Sequence, residues 1–488
     1  VRSVKVLVVT GRMAEEEVRR SVARSKMGAD VLVLDVDVAA FITPGLLRRA
    51  RPAGYDLILI PGAITADFDE AERELQTAIR LGPKHAVDLG AVLDQLKQGG
   101  QVELSKDIPA CALLADRLAD EARSLLISLE ERASCEMSIR GQKIGGSSRM
   151  KVLAEIVDAT RLDEGSLRDR IRYYQDQGAD MIDLGIPLNA SPADVERTVA
   201  LAVKATHLPV SVDTVIPELI VAGARAGADL ILSLNGDNIV PAGPALAELE
   251  VPAVVIPGPR SSLQENVEHA RKQGVEVIAD PVLNPPLQGL AASLADYLAC
   301  HRASPHIPIF FGVGNVTELI DADSQGVNGL LAAIGAEVGA SILFVPEYSP
   351  KARGSVHELR TASEMMALAG YRKSPPKDLG IDLLMLKEKR RRPGEARLEE
   401  WIEACDAIVS HREMDPAGPF RIALCGEFIL AVHQKATIAG KSARGILNII
   451  IDRGLVTRLD HAGYLGRELE RAELALRLGR SYAQDDQF

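Results

Sequence analysis

The sequence predicts an α/β protein centred on a closed (β/α)8 barrel of the TIM type, and three observations predict it. Eight short apolar runs recur between residues 151 and 346, most are followed by a helix-like stretch, and each ends in a polar, Gly or Pro residue. Short runs rich in Val, Ile and Leu read as strands buried on both faces, and their alternation with helical patterns implies parallel pairing through right-handed crossovers. Eight such units close a barrel, whose active site lies at the C-terminal ends of its strands.

In order, the runs are KVLAEIVDA, MIDLG, PVSVD, LILSLN, PAVVIP, VEVIAD, PIFFG and ILFVP. Their ends carry Asp158, Asp183, Asp213, Ser233 with Asn235, Asp280, Gly312 with Asn315, and Glu347. Carboxylates placed there can accept paired N–H bonds from a guanidine-like heterocycle, balance a cation, or bind a metal through water. A single Asp at a strand end has a plainer role, capping the helix that follows. Packing and capping together are a poor explanation for four aspartates on one rim.

Punctuation divides the chain into three expected domains. Residues 1–146 contain VKVLVVTG, ADVLVLDVD and DLILIPG with helical stretches such as MAEEEVRRSVARSK between them, an open, Rossmann-like α/β domain whose crevice falls at Thr10, Arg12, Pro61 and Gly62. The turn TGR lacks the GxGxxG fingerprint, which argues against a dinucleotide site. A cluster at Gly145, Gly146, Ser147 and Ser148 introduces the barrel, residues 147–373, and the paired prolines of KSPPKD end its last helix. Residues 374–488 read as an α+β accessory domain: a strand-like IDLLML, a solvent-exposed basic KEKRRRP, a hairpin FRIALCGEFILAVH, and helices SARGILNIIIDRG and DHAGYLGRELERAELALRLG.

The 488 residues exceed one ordinary core, and 47% apolar with 25% charged residues are globular values. Lys and Arg number 56 against 68 Asp and Glu, a net charge of −12 that argues against a general nucleic-acid binder. Cys111, Cys135, Cys300, Cys405 and Cys425 are scattered, without the spacing of a structural zinc site or a disulfide framework. No apolar run approaches the roughly 20 residues of a membrane span, and a cytoplasmic protein without membrane partners is expected.

The barrel resembles a pterin-binding barrel of the dihydropteroate synthase type. KVLAEIVDAT is similar to that family's first strand and the Asn-x-Thr start of its loop, with Asp158 where the synthases use Asn and Thr160 in the threonine's place. GADMIDLG resembles their GADIIDIGG, SVDT their SIDT, AGADLILSLN their AGA-x-IINDV, and IADP their LDPG. There are departures. IPLN replaces GEST after the second strand, Leu232 stands for an Asn, GVGNV replaces the SRK segment, and Val345, Pro346 and Glu347 replace Arg-x-His.

Flanking segments TGRMAEEEVRR, DLILIPGAITADF, GPKHAVDLGAVL and HAGYLGRELERAELAL extend the resemblance to the dihydropteroate synthase-related family of tetrahydromethanopterin-making archaea and methylotrophic bacteria. That resemblance implies condensation of a dihydropterin methyl diphosphate with 4-(β-D-ribofuranosyl)aminobenzene 5′-phosphate, assisted by magnesium, in a homodimer. It implies Asp158, Asp213 and Asp280 as catalytic, with Asp158 on the metal, and Asp183, Ser233, Asn235 and Asn315 with Asp213 and Asp280 on the pterin.

For the phosphorylated acceptor the candidates are Thr160, Lys351, Arg353, Lys441, Arg444 and His461. Lys441 and Arg444 flank a helix start that suits an anion. His461, Tyr464 and Glu468 share a helix face, which reads more simply as an interdomain or solvated face. Lys84 and His85 carry the same ambiguity. GVGNVTEL also resembles a segment of pterin-dependent methyltransferases, in which Asn315 would approach the pterin; a methyltransferase subunit and a non-catalytic pterin binder are the alternative readings.

Overall fold

The computed structural model describes residues 4–97, 104–387 and 414–486. It divides into two compact units, Val1–Pro393 and Gly394–Phe488.

In the first unit, strands β1 (Val6–Thr10), β2 (Asp30–Val33), β3 (Leu57–Ile60) and β4 (Ala78–Leu81) form an open parallel sheet in the order β2-β1-β3-β4. The strand order reverses beside β1, which places Thr10 and Pro61 at the ends of the two strands flanking the switch point. The short run at β4, with Arg80 inside it, escapes the sequence reading. Arg80 is tolerated because Glu72 takes its guanidinium at 2.6 Å.

The helix Ala110–Arg132 leads to an unanticipated hairpin, β5 (Met137–Ile139) and β6 (Gln142–Ile144), closed by Arg140 and Gly141, both at positive φ. Ile139 and Ile144 are buried with the barrel's inward-facing apolar residues, so the hairpin stoppers that end of the barrel. Lys143 Nζ donates to the carbonyls of Glu130, Glu131 and Ala133, satisfying the exposed C-terminus of the long helix.

All eight apolar runs become barrel strands: β7 (Lys151–Ile156), β8 (Met181–Gly185), β9 (Val210–Asp213), β10 (Leu230–Leu234), β11 (Ala253–Val255), β12 (Val277–Ala279), β13 (Ile309–Gly312) and β14 (Ala340–Pro346). They pair in parallel and close through β14 against β7. Successive side chains alternate faces. Val152, Ala154 and Ile156 therefore meet the surrounding helices, whereas Leu153, Met181, Leu230, Leu232, Val254, Ile278, Phe310 and Ile342 fill the interior.

Helices start where the sequence supplies caps. Ser191 and Asp194 make a capping box for Pro192–Ala205, and Ser262 and Glu265 make one for Leu263–Lys272. The last barrel helix, Ser355–Arg372, ends before the paired prolines. IDLLML forms no strand: Ile381, with Leu379 just before it, packs on Ala122, Leu368 and Ala369 of two helices. KEKRRRP begins at Lys387, and the rest of it lies outside the described residues.

In the second unit, β15 (Arg421–Cys425), β16 (Phe428–His433) and β17 (Ala436–Gly440) form an antiparallel meander. The expected hairpin turns at Gly426 and Glu427, with Gly426 at φ +56°. Alternate residues Ile422, Ile429, Ala431 and Ile438 pack against Ile446, Ile450, Leu465 and Leu469 from helices Ala443–Asp452 and Leu459–Arg477. Among the described residues no helix is long and apolar enough to cross a membrane.

Candidate functional site

Strand register assembles the site. Glu155 on β7 is the direct partner of Asp183 on β8, and Asp213 on β9 is the partner of Gly185, two residues nearer the mouth. One carboxylate oxygen from each of Glu155, Asp183 and Asp213 lies within 4.8 Å of the others. Gly185 makes room for this: a Cβ there would stand 2.6 Å from Glu155 Oε1. Asp280 follows β12, and it interacts electrostatically with Asp213.

Two of these carboxylates have fixed orientations. Ser211 Oγ donates to Asp183 Oδ1 at 2.5 Å, while Asp183 Oδ2 is buried without a partner among the described residues. Asp280 Oδ1 accepts from the buried Tyr297 hydroxyl at 2.6 Å and from the Val282 N–H at 2.8 Å. Tyr297 packs edge-on against Phe311, ring centres 4.9 Å apart, which holds the hydroxyl in place.

None of the four has an ion-pair partner among the described residues, so burial and mutual repulsion dominate. Burial, with the charges of Asp213, Asp158 and Glu318, pushes Glu155 up to about 8. Burial and then the Asp280 charge push Asp213 up to about 7. Burial lifts Asp280 to about 6 against its two hydrogen bonds. Asp183 is raised well above the usual carboxylate range by burial and by Asp213 and Glu155. The mouth is thus a set of acids ready to share protons, hold a cation, or accept N–H groups.

Sequence reasoning selected Asp158 at the end of the first run, but the carboxylate that enters the cluster is Glu155. Asp158 sits beyond β7 at φ +52° and pairs with Arg161 at 2.5 Å. The available signal was the period of two: Leu153 points inward, so Glu155 must as well. Tyr297, on the helix Leu290–Ala303, was also missed, because only the fold brings that helix against β12.

Other predicted residues are at the strand ends but committed to local bonds. Asn315 Nδ2 donates to the Leu283 carbonyl at 2.8 Å. Asn235 Oδ1 accepts from the Asp237 N–H, and the Ser233 carbonyl accepts from Asn238 Nδ2. The Thr160 carbonyl takes Arg197. Lys351 is paired with exposed Asp321 at 2.8 Å, and Arg353 lies beside the Tyr173 hydroxyl. Glu347 accepts from Tyr173 and from the Val356 N–H, so it occupies the start of the last barrel helix, where an anion would otherwise sit.

Lys441, Arg444 and His461 belong to the second unit. The helix start beside Lys441 is already served: Glu473 accepts from the Ala443 N–H and Ser442 Oγ from the Gly445 N–H, while Lys441 pairs with Glu427 at 2.6 Å. Arg444 is exposed on that helix. His461 Nδ1 meets Asp415, which also takes the Thr457 hydroxyl and N–H and the Ala417 N–H. Glu468 is fully buried and accepts from Tyr482. These contacts give the shared face of His461, Tyr464 and Glu468 a structural role within its own unit.

Residues 414–485 match the family described as PterinBD-DUF4346, a span that coincides with the meander and its two helices. Among solved structures, Yersinia pestis dihydropteroate synthase with a pterine-sulfa conjugate is similar at 21% identity, covering 49% of this chain and 98% of that one, with a TM-score of 0.39. The Thermus thermophilus dihydropteroate synthase in complex with 4-aminobenzoate gives 20% identity, 47% and 98% coverage and a TM-score of 0.38. The uncharacterized protein MJ0107 of Methanocaldococcus jannaschii is 36% identical over 519 aligned positions, 99% of this chain and 98% of that protein. With that identity along nearly the whole of both chains, the protein belongs to the MJ0107 family.

Proposed function

We propose that the barrel is a pterin-binding transferase of the dihydropteroate synthase type. Its proposed reaction joins 6-hydroxymethyl-7,8-dihydropterin diphosphate to 4-(β-D-ribofuranosyl)aminobenzene 5′-phosphate. The observation that carries this reading is the pair Asp213 and Asp280: two inward carboxylates at the mouth with no basic partner among the described residues, one of them oriented by Tyr297. A pterin's amino-pyrimidinone edge presents adjacent N–H donors, and buried carboxylates with unfilled acceptor capacity match that edge. The order of SVDT and IADP along the chain supports the same assignment.

In this reaction the amine nitrogen forms a bond to the pterin methylene carbon while that carbon's bond to the diphosphate oxygen breaks, and the amine loses a proton. Positive charge developing on the pterin is stabilised by Asp213 and Asp280, the second of which Tyr297 and the Val282 N–H orient before the reaction. Magnesium, when bound, supplies charge neutralisation for the departing diphosphate. Asp158 fits a metal poorly because Arg161 occupies its carboxylate. Glu155, Asp183 and Asp213 offer the donor set that fits.

The test is pyrophosphate release from the pterin diphosphate with magnesium, comparing the ribofuranosyl aminobenzene phosphate with 4-aminobenzoate. Release with the former alone supports the proposed acceptor; release with neither, while pterin still binds, rejects the condensation. Asp213→Asn and Asp280→Asn should each weaken pterin binding by about tenfold or more, as removal of a charged acceptor from a buried site does. Methyl transfer is the second reading. It is favoured by the acidic mouth, which suits a cationic methylated pterin, and by Asn315, whose amide nitrogen is anchored on Leu283 and whose Oδ1 has no hydrogen bond among the described residues.

A further inference from the structure

We propose that Glu155, Asp183 and Asp213 bind one hard divalent cation, of the magnesium or manganese class, in the substrate-free protein. Three neighbouring strands each contribute one inward carboxylate, and the oxygens converge within 4.8 Å. Glu155 and Asp183 face each other in the β7–β8 register, and Asp213 overhangs them from β9 beside a glycine.

An independent observation at the same place points to a ligand. Asp183 is wholly buried, and Ser211 fixes its Oδ1. Its Oδ2 has no hydrogen-bond donor among the described residues. A buried carboxylate oxygen without a donor is the group a protein ordinarily avoids unless something else meets it.

The neighbouring acids contrast with this arrangement. Asp280 Oδ1 is filled by Tyr297 and Val282. Asp158 is paired with Arg161. Glu347 is bonded by Tyr173 and Val356. The three that converge have no ion pair among the described residues, and the hydrogen bond that holds one of them is the one from Ser211 to Asp183. The absence of His and Cys from the cluster, and its all-oxygen anionic donors, select a hard cation over zinc or copper.

Such a cation would supply the positive charge that these acidic strands lack, which bears on the proposed diphosphate chemistry. Its existence, however, does not depend on the pterin reading. The site also relocates the metal from Asp158, the residue indicated by the sequence, to the neighbouring inward position on the same chain segment.

The experiment is a titration of the full, chelator-treated chain with Mn2+ in the absence of any pterin, following free Mn2+ by electron paramagnetic resonance, with Mg2+ as competitor. Saturable binding of about one Mn2+ per chain, displaced by Mg2+, is expected. Glu155→Gln and Asp183→Asn should each weaken it by about tenfold or more, whereas Asp158→Asn should leave it within about twofold. In parallel, Mn2+ should raise the melting temperature of wild type but not of Glu155→Gln or Asp183→Asn, a readout independent of activity. Folded wild-type protein that binds no Mn2+ at millimolar concentration would overturn the proposal, as would unchanged affinity in both carboxamide variants or loss of binding in Asp158→Asn. Pterin binding measured separately on wild type keeps failure of the metal site distinct from failure of the functional reading.

Discussion

Asp180 and Asp183 stand three residues apart beside and within β8, both deeply buried, and their circumstances are opposite. At the closed end of the barrel, Asp180 Oδ1 is met by Arg149 at 2.6 Å and Arg360 at 2.9 Å, and its Oδ2 takes the Val152 N–H. Burial pushes its carboxyl up, but the two guanidinium charges outweigh burial and hold it below the usual range. At the open end, burial and two carboxylate neighbours push Asp183 the other way, against the hydrogen bond from Ser211. Burial alone therefore does not distinguish a structural acid from a functional one. The distinction lies in whether the fold supplies compensating groups, and here it does so at the stoppered end and withholds them at the mouth.

The largest effect is expected at the paired end of the barrel. Asp180→Ala leaves the buried Arg149 without its bonded carboxylate and should cost about 3–5 kcal/mol in urea unfolding, and Arg149→Ala, which leaves Asp180 to Arg360, should cost less. A negligible loss from Asp180→Ala would mean that the two ends do not differ. Asp183→Asn should act in the opposite direction, raising the stability of metal-free protein at pH 8 by on the order of 1–3 kcal/mol, because burial and two neighbouring carboxylates disfavour an ionisable acid there. A decrease of the same size would remove the contrast.

Asp213 and Asp280 have folded pKa values of about 7 and about 6, above their ordinary value of 3.8, so the folded state binds the extra protons. Stability of chelated protein should accordingly fall as pH rises from about 4 to about 7. Asp180, whose folded pKa is lowered, contributes in the other sense: its stabilisation is present above the unfolded value and is lost as pH falls through the folded one. Metal-free protein should therefore show a stability maximum on the acid side of neutrality, and Glu155→Gln should flatten its alkaline limb. A curve rising steadily to pH 8 would contradict the assignment of the mouth. The smallest effect is expected from Lys351→Ala, which breaks an exposed pair and should leave the unfolding midpoint unchanged within error.

The barrel was legible because its signal is local and repeated. Runs such as MIDLG and PIFFG carry the apolar content of strands covered on both faces, and helix-like stretches follow most of them. The β5–β6 hairpin was not legible, because Ile139 and Ile144 gain their burial from barrel residues distant in sequence. IDLLML shows the converse: a strand-like composition finds helices instead of a sheet edge. At the site, Asp183, Asp213 and Asp280 were recognisable as strand-end acids, while Glu155 was passed over for the more conspicuous Asp158. Lys441 looked free to meet an anion until the fold placed Glu427 beside it and Glu473 on the helix start.

By itself, the sequence determined the eightfold alternation, the parallel barrel that follows from it, and the rim on which polar strand ends collect, because these depend on periodicity and burial within short windows. Only the tertiary structure decided which acids converge and which are compensated. Register between β7, β8 and β9 joins Glu155 to Asp183 and Asp213, and closure of the barrel brings Arg360 back across most of its length to Asp180. The physical reason is range: strand propensity acts over a few residues, whereas the electrostatics of a carboxylate depend on whatever the closed fold places within a few ångströms of it.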